Sequence, residues 1–262
     1  MKILELSQSI LDTDSERIIK NVRELNIYCA EKINDYFDFF KTGSFVWYPK
    51  YKKTCNDIDL LIDKKYKKEF KDLLIPYTKL GLPIHIQSIN GINAIHSLFL
   101  FYLSREKYIP LQVDFIFCEY HNNHNPTLFS IFSHYVSCKD IEFNIKGCFH
   151  KMLLNSISHL HGYTFSVIKG LKIDNETYIT DVSRIITIMF GDSNYNLDFW
   201  SFVGLVESMN KYFTVEQNLF IYNEFLKHIY PEKSKMIEKT IEEDIKVKET
   251  VLKYLKENLI GI

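Results

Sequence analysis

The sequence predicts an α+β chain, a small mixed β-sheet with helices on one face followed by a mostly helical region. Three observations carry this. Two apolar runs, Asp57-Ile58-Asp59-Leu60-Leu61-Ile62 and Leu111-Gln112-Val113-Asp114-Phe115-Ile116-Phe117, have strand length and strand composition. A segment of helical periodicity precedes the first run, and helical patterns dominate after the polar break His121-Asn122-Asn123-His124-Asn125-Pro126.

From the N-terminus, Ile18, Val22, Leu25, Cys29, Ile33, Phe37 and Phe40 recur at three- or four-residue steps behind a capping residue at Ser15. This spacing predicts one helix that supports the sheet from one side. The turn Thr42-Gly43-Ser44 follows, then twelve residues, then the strand from Asp57. Phe70, Leu73, Leu74 and Tyr77 predict a helix over Lys64 to Leu80. After the turn-forming Gly81-Leu82-Pro83, the mixed segment Ile84 to Leu103 is expected to hold a strand at Ile84 to Gln87 and a helix. The Asp114 strand is expected to begin after Pro110.

A boundary near Lys146 divides the chain into residues 1–146 and 147–262. In the second part, Met152, Leu153, Ile157 and Leu160 line one helix face behind Gly147. Tyr163 to Thr180 reads as a hairpin turning at Asp174-Asn175, and Val182 to Phe190 as a helix stopped by Gly191. Thr214-Val215-Glu216-Gln217 has the form of a capping box for a helix to His228. Ile237, Ile241, Ile245, Val251, Leu252, Leu255 and Leu259 define the buried stripe of a last helix.

Composition narrows the class. With 262 residues, 46% hydrophobic and 15% aromatic, the chain can bury a substantial core. No apolar run reaches the roughly 18 residues of a membrane span, and Met1-Lys2-Ile3-Leu4-Glu5 lacks signal-peptide features, so a cytoplasmic protein with no membrane partner is expected. Five scattered cysteines suit reduced thiols. A net charge of -1 excludes a wholly basic nucleic-acid binder. Locally, Lys50, Lys52 and Lys53, then Lys64, Lys65, Lys67, Lys68 and Lys71, flank the Asp57 strand. They offer counter-charge to a triphosphate or a nucleic-acid backbone, or form the solvated face of a helix.

In a strand alternate side chains share a face, so Asp57 and Asp59 stand together while Ile58 and Leu60 turn to the core. If the 111–117 run is the adjacent strand, Asp114 lies across from them. Three converging carboxylates repel unless they hold hard divalent cations, and oxygen-only ligation suits Mg²⁺ or Mn²⁺. Acid pairs also arise elsewhere, as in Asp12-Thr13-Asp14 and Glu242-Glu243-Asp244. What distinguishes 57–59 is its conjunction with the small-residue turn and the second strand.

This conjunction of Gly43 and Ser44, Asp57 and Asp59, and Asp114 resembles the DNA polymerase β-like nucleotidyltransferase superfamily, over about Phe39 to Phe117. One departure is that Phe45-Val46-Trp47-Tyr48-Pro49-Lys50 stands where many small members carry Ala and Arg before another Gly. The resemblance implies a nucleotidyltransferase-like first domain. It further implies two-metal transfer of a nucleoside monophosphate from a nucleoside triphosphate to an acceptor hydroxyl. Asp57, Asp59 and Asp114 would be the catalytic metal ligands, and Gly43 and Ser44 would hold phosphate. Lys151 would contact the triphosphate, with Lys169, Lys172 and Arg184 as rivals. An RNA or tRNA 3′ end is the expected acceptor. A small antibiotic-type acceptor, and a binding module without turnover, are the alternatives. A zinc site at Cys118, His121 and His124, with His134 and Cys138, is a separate, weaker expectation from ligand type.

Overall fold

Helix α1, Ser15–Ile33, buries Ile18, Val22 and Cys29 and ends at Asn34, whose left-handed backbone (φ 57°) returns its N–H to the carbonyls of Ala30 and Glu31. The computed structural model describes residues 10–11, 14–51, 54–55, 57–79, 94–104, 107–122, 124–191, 197–230 and 241–262. The turn at Asn34 corrects the expected helix. Phe37 is buried beyond the helix end, and Phe40 opens a strand. Phe37 and Phe39 pack into the core, and Phe40, opposite Leu61, lies on the other face of the sheet.

The first unit, residues 1–131, contains strands β1 (Ile10–Leu11), β2 (Phe40–Thr42), β3 (Thr54–Cys55), β4 (Asp57–Asp63), β5 (Ala94–Ser104), β6 (Lys107–Cys118), β7 (Tyr120–Asn122) and β8 (Asn125–Pro126). Its main sheet has the order β2-β4-β6-β5, antiparallel except for the central parallel pair β4–β6. Helix α2, Lys67–Lys79, follows β4 through a single 3-10 turn, where the Asp63 carboxylate accepts the Lys65 N–H. One sheet face carries Ile58, Leu60, Ile62, Leu111, Val113, Phe115 and Phe117, in one core with Ile18 and Val22 of α1 and Phe70 and Leu74 of α2. Phe70 anchors it, with ring centroids 5.2 Å from Phe115 and 5.8 Å from Phe117. Burying each such side chain stabilises the unit by roughly 1.5–3 kcal/mol. Covering one face in this way leaves the other for polar side chains.

Two sequence expectations change here. Of the segment 84–103, expected to hold a strand at 84–87 and a helix, residues 94–103 lie in strand β5, and the other part, the expected strand included, falls outside the described residues. Strand β6 starts at Lys107 rather than after Pro110. Proline is tolerated there because β4 pairs only from Gln112 onward, so Pro110 has a hydrogen-bonded neighbour on the β5 side alone.

The second unit, residues 132–262, is mostly helical. The division falls inside α3, Leu128–His134. Then come α4 (Cys138–Glu142), α5 (Gly147–Leu160), β9 (Thr164–Ser166), β10 (Gly170–Lys172), β11 (Tyr178–Ile179), α6 (Val182–Phe190), α7 (Phe202–Tyr212), α8 (Val215–Ile229) and α9 (Ile241–Asn258). The expected hairpin is a three-stranded antiparallel sheet, β11-β10-β9, and its second turn is closed by the Asp174 carboxylate, which accepts the N–H groups of Glu176 and Thr177. Helix α6 stops at Gly191 in the left-handed region (φ 70°), and Thr214 and Gln217 form both bonds of the capping box. In α9, Val251 and Leu255 are buried, as is Leu259 just beyond it, but Ile245 is exposed; Ile237 lies outside the described residues. The helix α7 carried no sequence expectation.

Candidate metal centre

The register of the central pair builds the site. In β4–β6, Asp57 lies opposite Gln112 and Asp59 opposite Asp114. On the other side of β6, His96 of β5 lies opposite Asp114. On the outer side of β4, Thr42 lies opposite Asp59. Period-two alternation therefore puts Thr42, Asp57, Asp59, Gln112, Asp114 and His96 on one face, away from the helices.

The three carboxylates each present an oxygen within 4.8 Å of the other two. Asp57 and Asp59 are half-buried and Asp114 is 7% exposed. Like charges about 4 Å apart repel by about 4 kcal/mol at the effective dielectric of a protein surface, so drawing three together is costly without cations. Among the described residues no other group of three His, Cys, Asp or Glu ligand atoms gathers this closely.

The turn before β4 is shaped to the same acids. Gly43 has φ +60°, and a Cβ placed on it would lie 1.8 Å from Asp59 Oδ2. Glycine is required here twice over, by backbone conformation and by the close approach of the chain to the carboxylate. Gly43 starts a short 3-10 helix, Gly43–Trp47, with Ser44 half-buried beside it.

Asp114 is held from two directions. The buried Gln112 amide donates to Oδ1 at 2.9 Å and to Oδ2 at 3.0 Å. His96 Nδ1 lies 2.8 Å from Oδ1, at ion-pair distance. Its other ring nitrogen, the buried Nε2, has no hydrogen-bond partner. Contact with the Asp114 carboxylate raises the His96 pKa above its ordinary value, against the opposing effect of burial. The donor set suits a hard divalent cation, since the converging ligands are all oxygens.

Lys151 belongs to a different cluster. On α5, its Nζ approaches Phe132 O at 3.4 Å, Tyr135 O at 3.0 Å and His150 Nδ1 at 3.0 Å, using the three donors of an ammonium. Burial pulls its pKa down to about 7, opposed by the negative charge of Asp140. His150 passes the chain on to Phe199 O at 2.9 Å. Of the rivals, Lys169 lies over the Tyr178 ring and the Arg184 backbone N–H is taken by Asp181.

Three of the lysines around β4 are matched with acids. Lys64 pairs with Glu119, Lys65 lies 3.8 Å from Asp35, and Lys68 lies 3.5 Å from Asp72. Lys52 and Lys53 fall outside the described residues. The zinc expectation is not supported: among the described residues Cys118, His121, His124, His134 and Cys138 form no close group of ligand atoms, and His124 Nδ1 lies 3.1 Å from Asp38.

His96 and Gln112 were not singled out from sequence. Gln112 carried a usable signal, standing two residues before Asp114 and so on its face. His96 carried none, because its segment was expected to be helical.

No family model and no curated protein matches the chain. Solved structures similar to it include two of Leishmania infantum polymerase beta, a ternary P/T complex and a ternary gap complex. Each shows 12% identity and a TM-score of 0.41 over 74% of this chain. The match spans 65% and 60% of those two chains, less than two thirds of their length. A likeness of this size says nothing about activity, which has to come from the residues. No described helix is long and apolar enough to cross a membrane.

Proposed function

We propose that the chain is a divalent-metal-dependent nucleotidyltransferase that moves a nucleoside monophosphate from a nucleoside triphosphate to an acceptor hydroxyl. The observation that carries this reading is the meeting of Asp57, Asp59 and Asp114 on one sheet face, within 4.8 Å. The polymerase β-like arrangement expected from the sequence supports it.

Asp57 and Asp59 would hold two Mg²⁺ or Mn²⁺ ions, and Asp114 the ion on the acceptor side. Bound there, such ions supply counter-charge to the triphosphate and lower the pKa of a nearby hydroxyl. The acceptor oxygen forms a bond to the α-phosphorus, the bond from that phosphorus to the bridging oxygen breaks, and pyrophosphate leaves with the electron pair. The hydroxyl proton passes to solvent. The turn at Gly43 and Ser44, free of a Cβ at its first position, would bring backbone close to the phosphates.

An RNA or tRNA 3′ end is the first acceptor to test. The matching of Lys64, Lys65 and Lys68 with acids favours the second, a small hydroxyl compound, because it leaves less free positive charge beside β4. Incorporation of labelled nucleotide with Mg²⁺ is the direct assay. Asp57→Ala and Asp114→Ala are each expected to reduce it by at least roughly 1000-fold, the worth of several kcal/mol of charge stabilisation. Equal activity in wild type and both variants removes the reading. Transfer to a polynucleotide falls steeply with added salt, whereas transfer to a small acceptor responds little. Nucleotide binding without product identifies a module lacking turnover.

A further inference from the structure

Resting on the metal-site reading, we propose that Gln112 is a positioning residue for Asp114, assisted by His96, so that Asp114 meets a cation through Oδ2 and neither helper is itself a ligand. Asp114 sits at the middle of the face, with Asp59 across one strand boundary and His96 across the other. Its two oxygens are unequally engaged. Oδ1 receives both the Gln112 amide and the close approach of His96 Nδ1, while Oδ2 receives Gln112 alone. The less engaged oxygen is the one open to a further partner.

Gln112 is the firmer of the two holds. Its side chain is 7% exposed, and its amide reaches both carboxylate oxygens. An amide that spans both oxygens fixes the plane of the carboxylate as well as its position. Opposite Asp57 in register, it also occupies the place on β6 where a fourth acid would add to the repulsion. An uncharged donor there orients one acid without cancelling its charge. Hydrogen-bond partners of this sort, one step behind the ligand, typically change metal affinity by 10–100-fold when removed.

The test is Mn²⁺ binding to the full chain, read from the free-ion signal in electron paramagnetic resonance, with circular dichroism as the fold control. Gln112→Leu keeps the bulk and removes the donors; it is expected to weaken binding by roughly 10–100-fold. Gln112→Met replaces it if the leucine variant does not fold. In an Asp114→Asn background the same substitution is expected to change affinity less than about twofold, because a group acting through Asp114 has nothing left to act on. His96→Ala is expected to show the same dependence with a smaller loss. Spin-echo modulation of the bound Mn²⁺ is expected to show no directly coordinated nitrogen.

Wild-type affinity in Gln112→Leu, an equal loss in the Asp114→Asn background, or a coordinated ¹⁴N signal overturns the inference. The two levels separate cleanly. If Asp57→Asn and Asp114→Asn bind Mn²⁺ more weakly while Gln112→Leu does not, only the positioning role falls. A wild-type chain that binds no Mn²⁺ removes the metal centre and the positioning role together.

Discussion

Two gatherings of ionisable side chains among the described residues are built in opposite ways. On the main sheet of the first unit, Asp57, Asp59 and Asp114 bring charges of one sign within 4.8 Å. In the second unit, Asp140, Lys151 and His150 form a cluster of mixed charge in which each group meets a partner. The Asp140 carboxylate accepts the N–H groups of Phe202 and Val203 at 3.0 and 3.1 Å, at the start of α7. Lys151 has its three acceptors, and His150 bridges Lys151 and Phe199. The second cluster is chemically complete and serves the fold. The first joins charges of one sign and the second joins opposite charges to backbone partners, which is why proximity of titratable groups alone is a poor guide to function.

The sharpest way to break this comparison is by stability. Asp140→Ala leaves two buried N–H groups without an acceptor and is expected to cost about 3 kcal/mol in urea unfolding. A loss under about 0.5 kcal/mol would show that the cluster is dispensable to the fold. Gly43→Ala comes next: a left-handed alanine costs about 1–2 kcal/mol, and its methyl collides with Asp59. Both the melting temperature and nucleotide incorporation should therefore fall. A variant that melts earlier yet keeps full activity separates the turn from the site. Asp59→Asn should run the other way, with melting in chelator unchanged or raised because one repelling charge is gone. A fall matching that of Asp140→Ala would place the acid face among the groups that hold the fold.

A further expected effect is on pH. In the folded chain Lys151 has its pKa lowered from 10.5 to about 7, so between those values the unfolded chain binds more protons. Its contribution to stability is therefore complete above about 10.5, declines below that, and is lost as pH falls through 7. Thermal melting from pH 7 to 9 should rise in wild type relative to Lys151→Met. Parallel profiles would mean that Lys151 keeps an ordinary pKa in the fold.

The acid face was legible in the sequence because strand alternation is rigid. Two acids at positions 57 and 59, and a third in the middle of an apolar run, leave few other arrangements. Helices with clear ends were equally readable, as at the stop at Gly191 and the start at Thr214. What escaped depended on competition between conformations. The run from Ala94 to Ser104 is apolar enough for a buried helix or a strand, and only its pairing along β6 settles the matter. With β5 unseen, His96 stayed invisible. Similarly, Phe37 and Phe40 kept step with α1 although Asn34 had already ended it. The partners of Lys151 come from carbonyls at 132 and 135, which no pattern of side chains announces.

The parallel pairing of β4 with β6 makes the candidate metal centre a question of parity. Asp59 faces Asp114 only while both strands keep their count of residues up to that rung. Losing one residue from β6 ahead of Asp114 would send that acid into the phenylalanine-rich layer and bring Val113 or Phe115 to the cation side. Losing two would restore the correct side and displace the acid by about 7 Å along the strand. Evolution of this chain can thus slide its third acid only in even steps, and insertions are best accommodated before the rungs begin.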